Sequence, residues 1–216
     1  MRDDYVVRVP QAHGRLRFSR EEIPHILLSL GVLTLAFAIV FSSFVASQAG
    51  EGMVVGFIYS LGLSLLIVLT GFFLHEMAHK YVAQRYGAWA EFRSYHFGLI
   101  MALVFSFLGF VFAAPGAVYI RGAITRKQNG YISLAGPATN LGVGGVFMGA
   151  WFIAPDLGLL TTVLFLLGTV NGLFAVFNLL PIPPLDGSKV LRWNPLIYGI
   201  TMAAGVVLLL PWFGVL

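Results

Sequence analysis

From Gly52 to Leu74 the chain carries no Asp, Glu, Lys or Arg. A run of that length excludes a soluble helix with one wetted face and suits a helix crossing hydrocarbon, which needs about 20 apolar residues. Comparable apolar stretches lie at about Pro24–Val45, Tyr131–Pro155, Gly158–Leu180 and Leu196–Val215. The composition agrees, at 58% hydrophobic and 10% charged with mean hydropathy +0.87, whereas soluble domains are about 25% charged. An outer-membrane barrel would alternate apolar and polar residues, which these runs do not. The expected fold is an all-α polytopic membrane protein of five to six hydrophobic segments.

Residues 1–22 form a basic arm carrying Arg2, Arg8, Arg15, Arg17 and Arg20. Five arginines ahead of an uncleaved first span place the N-terminus in the cytoplasm of a multi-pass cell-membrane protein. The basic balance, 13 Lys and Arg against 9 acids, is read as topology and as contact with the lipid bilayer. Nucleic acid is not expected as a partner. The second span returns toward the cytoplasm, where Lys80 and Arg85 close it on the basic side and Gly87 suits the turn after a helix.

Between that span and Tyr131 lie two short segments of alternating character, Ala90–Tyr95 and Ala117–Gly122, which read as strands. They form a short membrane-associated β region between the second and third full spans. The apolar stretch Phe97–Val118 between them is long enough for a span on hydropathy alone, but contains Gly98, Gly109, Pro115 and Gly116. The integral membrane domain is expected to occupy residues 23–216, with a core at about 53–190.

At the far end of the second run comes His75-Glu76-Met77-Ala78-His79. Residues four apart share one helix face, so both imidazoles can reach one metal ion with Glu76 beside them as a base. A lone buried histidine is more often a hydrogen-bonded core residue. Ionisable groups set together in an apolar run instead mark function. Zinc needs a third protein ligand. The chain has no cysteine, so thiolate is excluded and the ligand must be His or carboxylate. Beyond the arm the candidates are Glu91, His96, Asp156 and Asp186, with Glu51 remote. Asp186 is best placed, since Pro181, Pro183 and Pro184 end the preceding helix at membrane depth.

The combination of His75-Glu76-Met77-Ala78-His79, Gly136-Pro137-Ala138-Thr139-Asn140 and Asn178 through Asp186-Gly187 resembles the site-2 protease family of intramembrane zinc metalloproteases, in a minimal form without PDZ or CBS domain. The resemblance implies one zinc ion per chain held by His75, His79 and Asp186, with Glu76 as catalytic base. It also implies that Asn178 supports the substrate carbonyl or oxyanion. Asn140, Val118, Tyr119 and Ile120 are the candidate substrate contacts. The implied activity is hydrolysis of peptide bonds in transmembrane protein substrates, within regulated proteolysis, at a site toward the cytoplasmic side. The sequence assigns no oligomeric state.

Geometry adds an expectation of its own. His79 and Asp186 can share a metal only at one depth, and two full spans between them already bring the chain back. Phe97–Val118 is therefore expected to be re-entrant or interfacial. A zinc or proton-coupled transporter is the competing reading, and the sparsely polar stretch from Val54 to Leu74 speaks against it.

Overall fold

The computed structural model describes residues 16–112, 114–154 and 156–215. Most of the basic arm, residues 1–15, lies outside the described residues. Helix α1 (Glu22–Ala49) ends where Gly50 adopts φ 66° and its N–H closes on Ala46 and Ser47 carbonyls. The chain then reverses into α2 (Met53–Ile67), a π-helical segment Val68–Phe73, and α3 (Leu74–Arg85). These three join as one apolar rod, Met53–Arg85. The Ser60 hydroxyl donates to the Ala38 carbonyl at 3.0 Å, tying the rod to α1.

Strand β1 (Trp89–Ser94) follows, then α4 (His96–Ser106), then β2 (Gly116–Arg121), which pairs antiparallel with β1. Each strand lies one residue earlier than the sequence pattern suggests. The register pairs Ser94 with Gly116, and the Tyr95 N–H donates to the Pro115 carbonyl at 3.0 Å. The excursion between the strands thus ends where it begins and does not reach the opposite end of the bundle. Helix α4, with 11 residues, is about 16 Å long, half the thickness of a hydrocarbon core. It buries Leu99 and Ala102 in a cluster with Leu33, Val68, Phe72 and Phe92. Phe97, Ile100, Val104, Phe107 and Leu108 face outward.

Helix α5 (Arg126–Ile153) starts on a reciprocal cap, in which Thr125 accepts from the Gln128 N–H and the Gln128 side chain accepts from the Thr125 N–H. It runs between α3 and α6 (Leu159–Asn178). A proline-rich turn leads to the short α7 (Asp186–Trp193), and α8 (Pro195–Leu209) ends in a 3-10 turn, Leu210–Phe213.

Among the described residues, four helical segments are long and apolar enough to cross a membrane: Glu22–Ala49, Met53–Arg85, Leu159–Asn178 and Pro195–Phe213. Of the five to six hydrophobic segments expected from the sequence, four have the length and composition of a span. Helix α5 has the length, at 28 residues, but its middle carries Ser133, Pro137, Thr139 and Asn140.

Candidate metal centre

The site is assembled from three elements, and each donor is aimed by a partner outside the cluster. His75 and His79 lie one turn apart on α3 with their Nε2 atoms 2.9 Å apart. Asp186, the first residue of α7, brings Oδ2 to 3.4 Å from His75 Nε2 and 3.0 Å from His79 Nε2. All three residues are buried.

The backs of both rings are occupied. His75 Nδ1 lies 2.6 Å from Asn140 Oδ1, while the Asn140 amide donates to the Gly71 carbonyl at 2.8 Å. That amide bond shows which way Asn140 points, so His75 must carry its proton on Nδ1. His79 Nδ1 donates to the Ile132 carbonyl at 2.6 Å. The two Nε2 atoms are thus turned away from these partners, toward each other and a carboxylate. Two imidazole nitrogens and a carboxylate oxygen converge this closely only with positive charge among them, a proton or a metal ion.

Zinc fits the arrangement. Tetrahedral coordination at about 2.0–2.1 Å places neighbouring nitrogens about 3.3 Å apart, close to the 2.9–3.4 Å observed. Carbonyl or amide partners behind metal-binding imidazoles are the usual means of holding tautomer and aim. The floor of the site agrees. A Cβ on Gly136 would lie 2.4 Å from His79 Nε2 and 2.5 Å from His75 Nε2, in the space an ion would use. Glycine is the one residue that leaves this space open. His75, His79 and Asp186 are the one group of three or more His, Asp or Glu residues close enough to share a metal among the described residues.

Asp186 is held from below. A Cβ on Gly187 would lie 1.9 Å from the Leu179 carbonyl oxygen, so the start of α7 sits directly on the end of α6. Lys189 donates to Asp186 Oδ1 at 3.3 Å, leaving Oδ2 toward the imidazoles. The remaining carboxylate candidate near the sheet, Glu91, is engaged by Arg93 at 2.7 Å.

Glu76 does not join the three donors. Its Oε2 accepts the Val118 N–H at 3.0 Å, so the carboxylate bridges α3 to strand β2. Phe92 and Val118 are partners in the register, and the Phe92 N–H donates to Glu22 at 2.9 Å instead of to β2. The backbone groups of this pair therefore point away from the ladder. Gly116, Val118 and Ile120 share the outward edge of β2, the edge that meets Glu76. Tyr119 is exposed, whereas Val118 and Ile120 are half-buried. Asn178 turns back on its own helix, donating to the Phe174 carbonyl at 2.9 Å.

Asn140, expected at the substrate, is fully buried behind His75. Asn171 extends this chain, accepting from Asn140 at 3.3 Å and donating to Thr70 at 3.2 Å. Sequence reasoning gave Asn171 no role, although an amide inside an apolar helix was the available signal. The π-helical segment contributes too, since its Gly71 carbonyl takes the Asn140 proton. Lys80 was also misplaced. It is wholly buried against Glu22 and does not reach out of the helix surface as a membrane-boundary lysine would. Arg85 is exposed and donates to the Tyr81 hydroxyl at 3.0 Å.

A buried His-His-Asp donor set, with a glutamate beside it and membrane-length helices around it, defines a metal-dependent hydrolase of the His-Glu-x-x-His type. The chain is 41% identical over 186 residues to the "Putative zinc metalloprotease MJ0611" of Methanocaldococcus jannaschii, covering 85% of this chain and 90% of that protein. It is 32% identical over 148 residues to the "Putative zinc metalloprotease Rip3" of Mycobacterium tuberculosis, covering 65% of this chain and 33% of that one. It is 31% identical over 145 residues to the "Putative zinc metalloprotease Rip2" of Mycolicibacterium smegmatis, covering 59% and 56% respectively. No family model and no solved structure matches the chain. The chain belongs to this family of zinc metalloproteases; it is an enzyme, and zinc is its metal.

Proposed function

We propose that the chain is a site-2-type intramembrane endopeptidase that cuts transmembrane protein substrates in regulated proteolysis. The observation that carries this reading is the convergence of His75, His79 and Asp186, with Glu76 beside them on α3 at the outward edge of a short strand, inside a bundle of membrane-length helices. A soluble protease has no use for such a setting.

Zinc, when bound, supplies Lewis acidity toward a water and a scissile carbonyl. The chain's own residues do the rest. Glu76 takes a proton from the attacking water and returns it to the leaving amine. Peptide bonds in a helix are covered, so a substrate must reach the site extended. The outward groups of Gly116, Val118 and Ile120 on β2 offer main-chain pairing to such a segment, with Tyr119 exposed on the strand's other face. Asn140 acts as the orienter of His75. Asn178 reaches the oxyanion after a side-chain rotation away from the Phe174 carbonyl.

In this reading α5 is a fifth crossing, its polar middle turned toward α3 and the metal donors. The residue 95–115 excursion lies in the bilayer interface, with the outward apolar residues of α4 in lipid. The N-terminus and the catalytic end face the cytoplasm. Two features support the hydrolase over a transporter: the relatives' names, and the position of Glu76 on the strand edge instead of among the metal donors.

Purified protein with a model transmembrane segment tests the proposal. Glu76→Gln is expected to keep one zinc per chain and lose cleavage by about 100-fold or more. Asp186→Ala is expected to lose both zinc and cleavage. Full cleavage by Glu76→Gln, or zinc flux in liposomes without cleavage by the unmodified chain, would refute it.

A further inference from the structure

Lys80 follows the second imidazole directly, and at 0% exposure its ammonium has no access to solvent or lipid. Its Nζ donates to Glu22 Oε2 at 2.8 Å and to the Ala90 carbonyl at 2.7 Å, with the Phe18 ring centroid 5.0 Å away. Glu22 is also at 0% exposure, and its other oxygen accepts the Phe92 N–H. One turn beyond Lys80, the Gln84 amide donates to the same Ala90 carbonyl at 3.3 Å. Gln84 also exchanges two hydrogen bonds with the Arg17 backbone, each 3.0 Å.

Glu76, Lys80 and Gln84 stand four residues apart on α3 and so form one stripe. Every member touches the sheet. Glu76 meets β2 at Val118, while Lys80 and Gln84 meet β1 at Ala90. On the outer edge of β1, where a third strand would otherwise pair, Glu22 accepts the Phe92 N–H, Lys80 and Gln84 donate to the Ala90 carbonyl, and His25 Nδ1 accepts the Ser94 N–H at 3.4 Å. The sheet is therefore pinned along one edge to α1 and α3, and its other edge presents the Val118 N–H to the catalytic carboxylate.

We infer that the buried Glu22–Lys80 pair is a positioning element for the base: by holding β1 at a set height over α3, it places the Val118 N–H where it orients Glu76. The inference rests on the protease reading for the role of Glu76, but not for the geometry. A buried ion pair contributes little net stability, and apolar side chains of similar volume often serve as well or better. What apolar side chains cannot do is donate to the Ala90 carbonyl and accept from the Phe92 N–H. Those two bonds fix β1 along and across the helix. A pair retained only to fill space has no need of them.

The chain has no cysteine, so cysteines introduced at Tyr81 and Tyr119 carry two spin labels and report the α3–β2 distance in the zinc-loaded full chain. The comparison set is the labelled parent, Glu22→Gln, Lys80→Met and the double variant Glu22→Leu/Lys80→Met. Cleavage of a model transmembrane segment is followed in the same substitutions without labels. All are expected to hold zinc as the parent does, because no donor is touched. The distance distribution is expected to broaden in each. kcat is expected to fall about 10- to 100-fold with KM little changed, the cost of displacing a reacting group by about 1 Å. The double variant is expected to regain the melting temperature lost by the single ones, and neither the narrow distribution nor kcat. A double variant with the parent's distance distribution and kcat would overturn the inference and reduce the pair to packing. Should a single variant fail to fold, the double carries the decision. If the parent binds zinc and cleaves nothing, the protease reading falls, and the distance measurement still decides the positioning.

Discussion

Helix α3 carries two polar stripes side by side, and they are built on opposite rules. On the first, His75 and His79 have their Nδ1 protons fully spoken for, by Asn140 and Ile132, while their Nε2 atoms and Asp186 Oδ2 converge on one point. On the second, Glu76, Lys80 and Gln84 all end on hydrogen-bond partners, and the buried charge of Lys80 is cancelled by Glu22. Both stripes are polar groups in an apolar helix, so polarity alone does not separate them. The difference is satisfaction. Lys80 and Gln84, with their partners supplied, are architecture, and Glu76 is held by the same stripe at the strand edge, whereas metal-ligating atoms aimed at one point call for an ion.

The contrast can be broken experimentally, beginning where the effect is largest. Gly136→Ala puts a methyl group among the Nε2 atoms and should abolish zinc binding and cleavage together, with helix content unchanged by circular dichroism. A zinc-replete Gly136→Ala protein would show that the floor of the site is not where the structure puts it. Asn140→Ala removes the partner of His75 Nδ1 and should weaken zinc affinity about 10- to 100-fold, read by competition with a chelator. On the second stripe the metal should not respond. Lys80→Met leaves the Glu22 carboxylate buried alone and should cost about 3–5 kcal/mol of stability, measured by denaturation of the zinc-loaded protein, at unchanged zinc content. Gln84→Ala should be mildest, since Lys80 still holds Ala90; a loss of about 1 kcal/mol is expected.

Much of the site is legible in the sequence. The i, i+4 spacing of His75 and His79 follows from helical periodicity, and the absence of cysteine left few third donors. Proline placement then singled out Asp186. Lys80 was not legible, because a lysine at the end of an apolar run looks like a membrane-boundary marker. Its partner Glu22 lies 58 residues earlier in the chain, and no local pattern links them. Asn140 was assigned to the wrong face of the site for the same reason. Its position in the sequence says that it lies near, not that it stands behind an imidazole.

By itself, the order of residues determined the membrane class, the helical runs, the turn at Gly87, and the pair of imidazoles that face one way. Each of these depends on interactions within a few residues, or on total apolar content. Only tertiary structure decided that Asp186 meets the imidazoles, that the residue 95–115 excursion closes on itself, and that Glu76 rests on Val118 instead of among the metal donors. Those outcomes depend on how helices and strands distant in the chain settle against each other. That is fixed by packing and by the need to pair every buried polar group, and neither is written in any one segment.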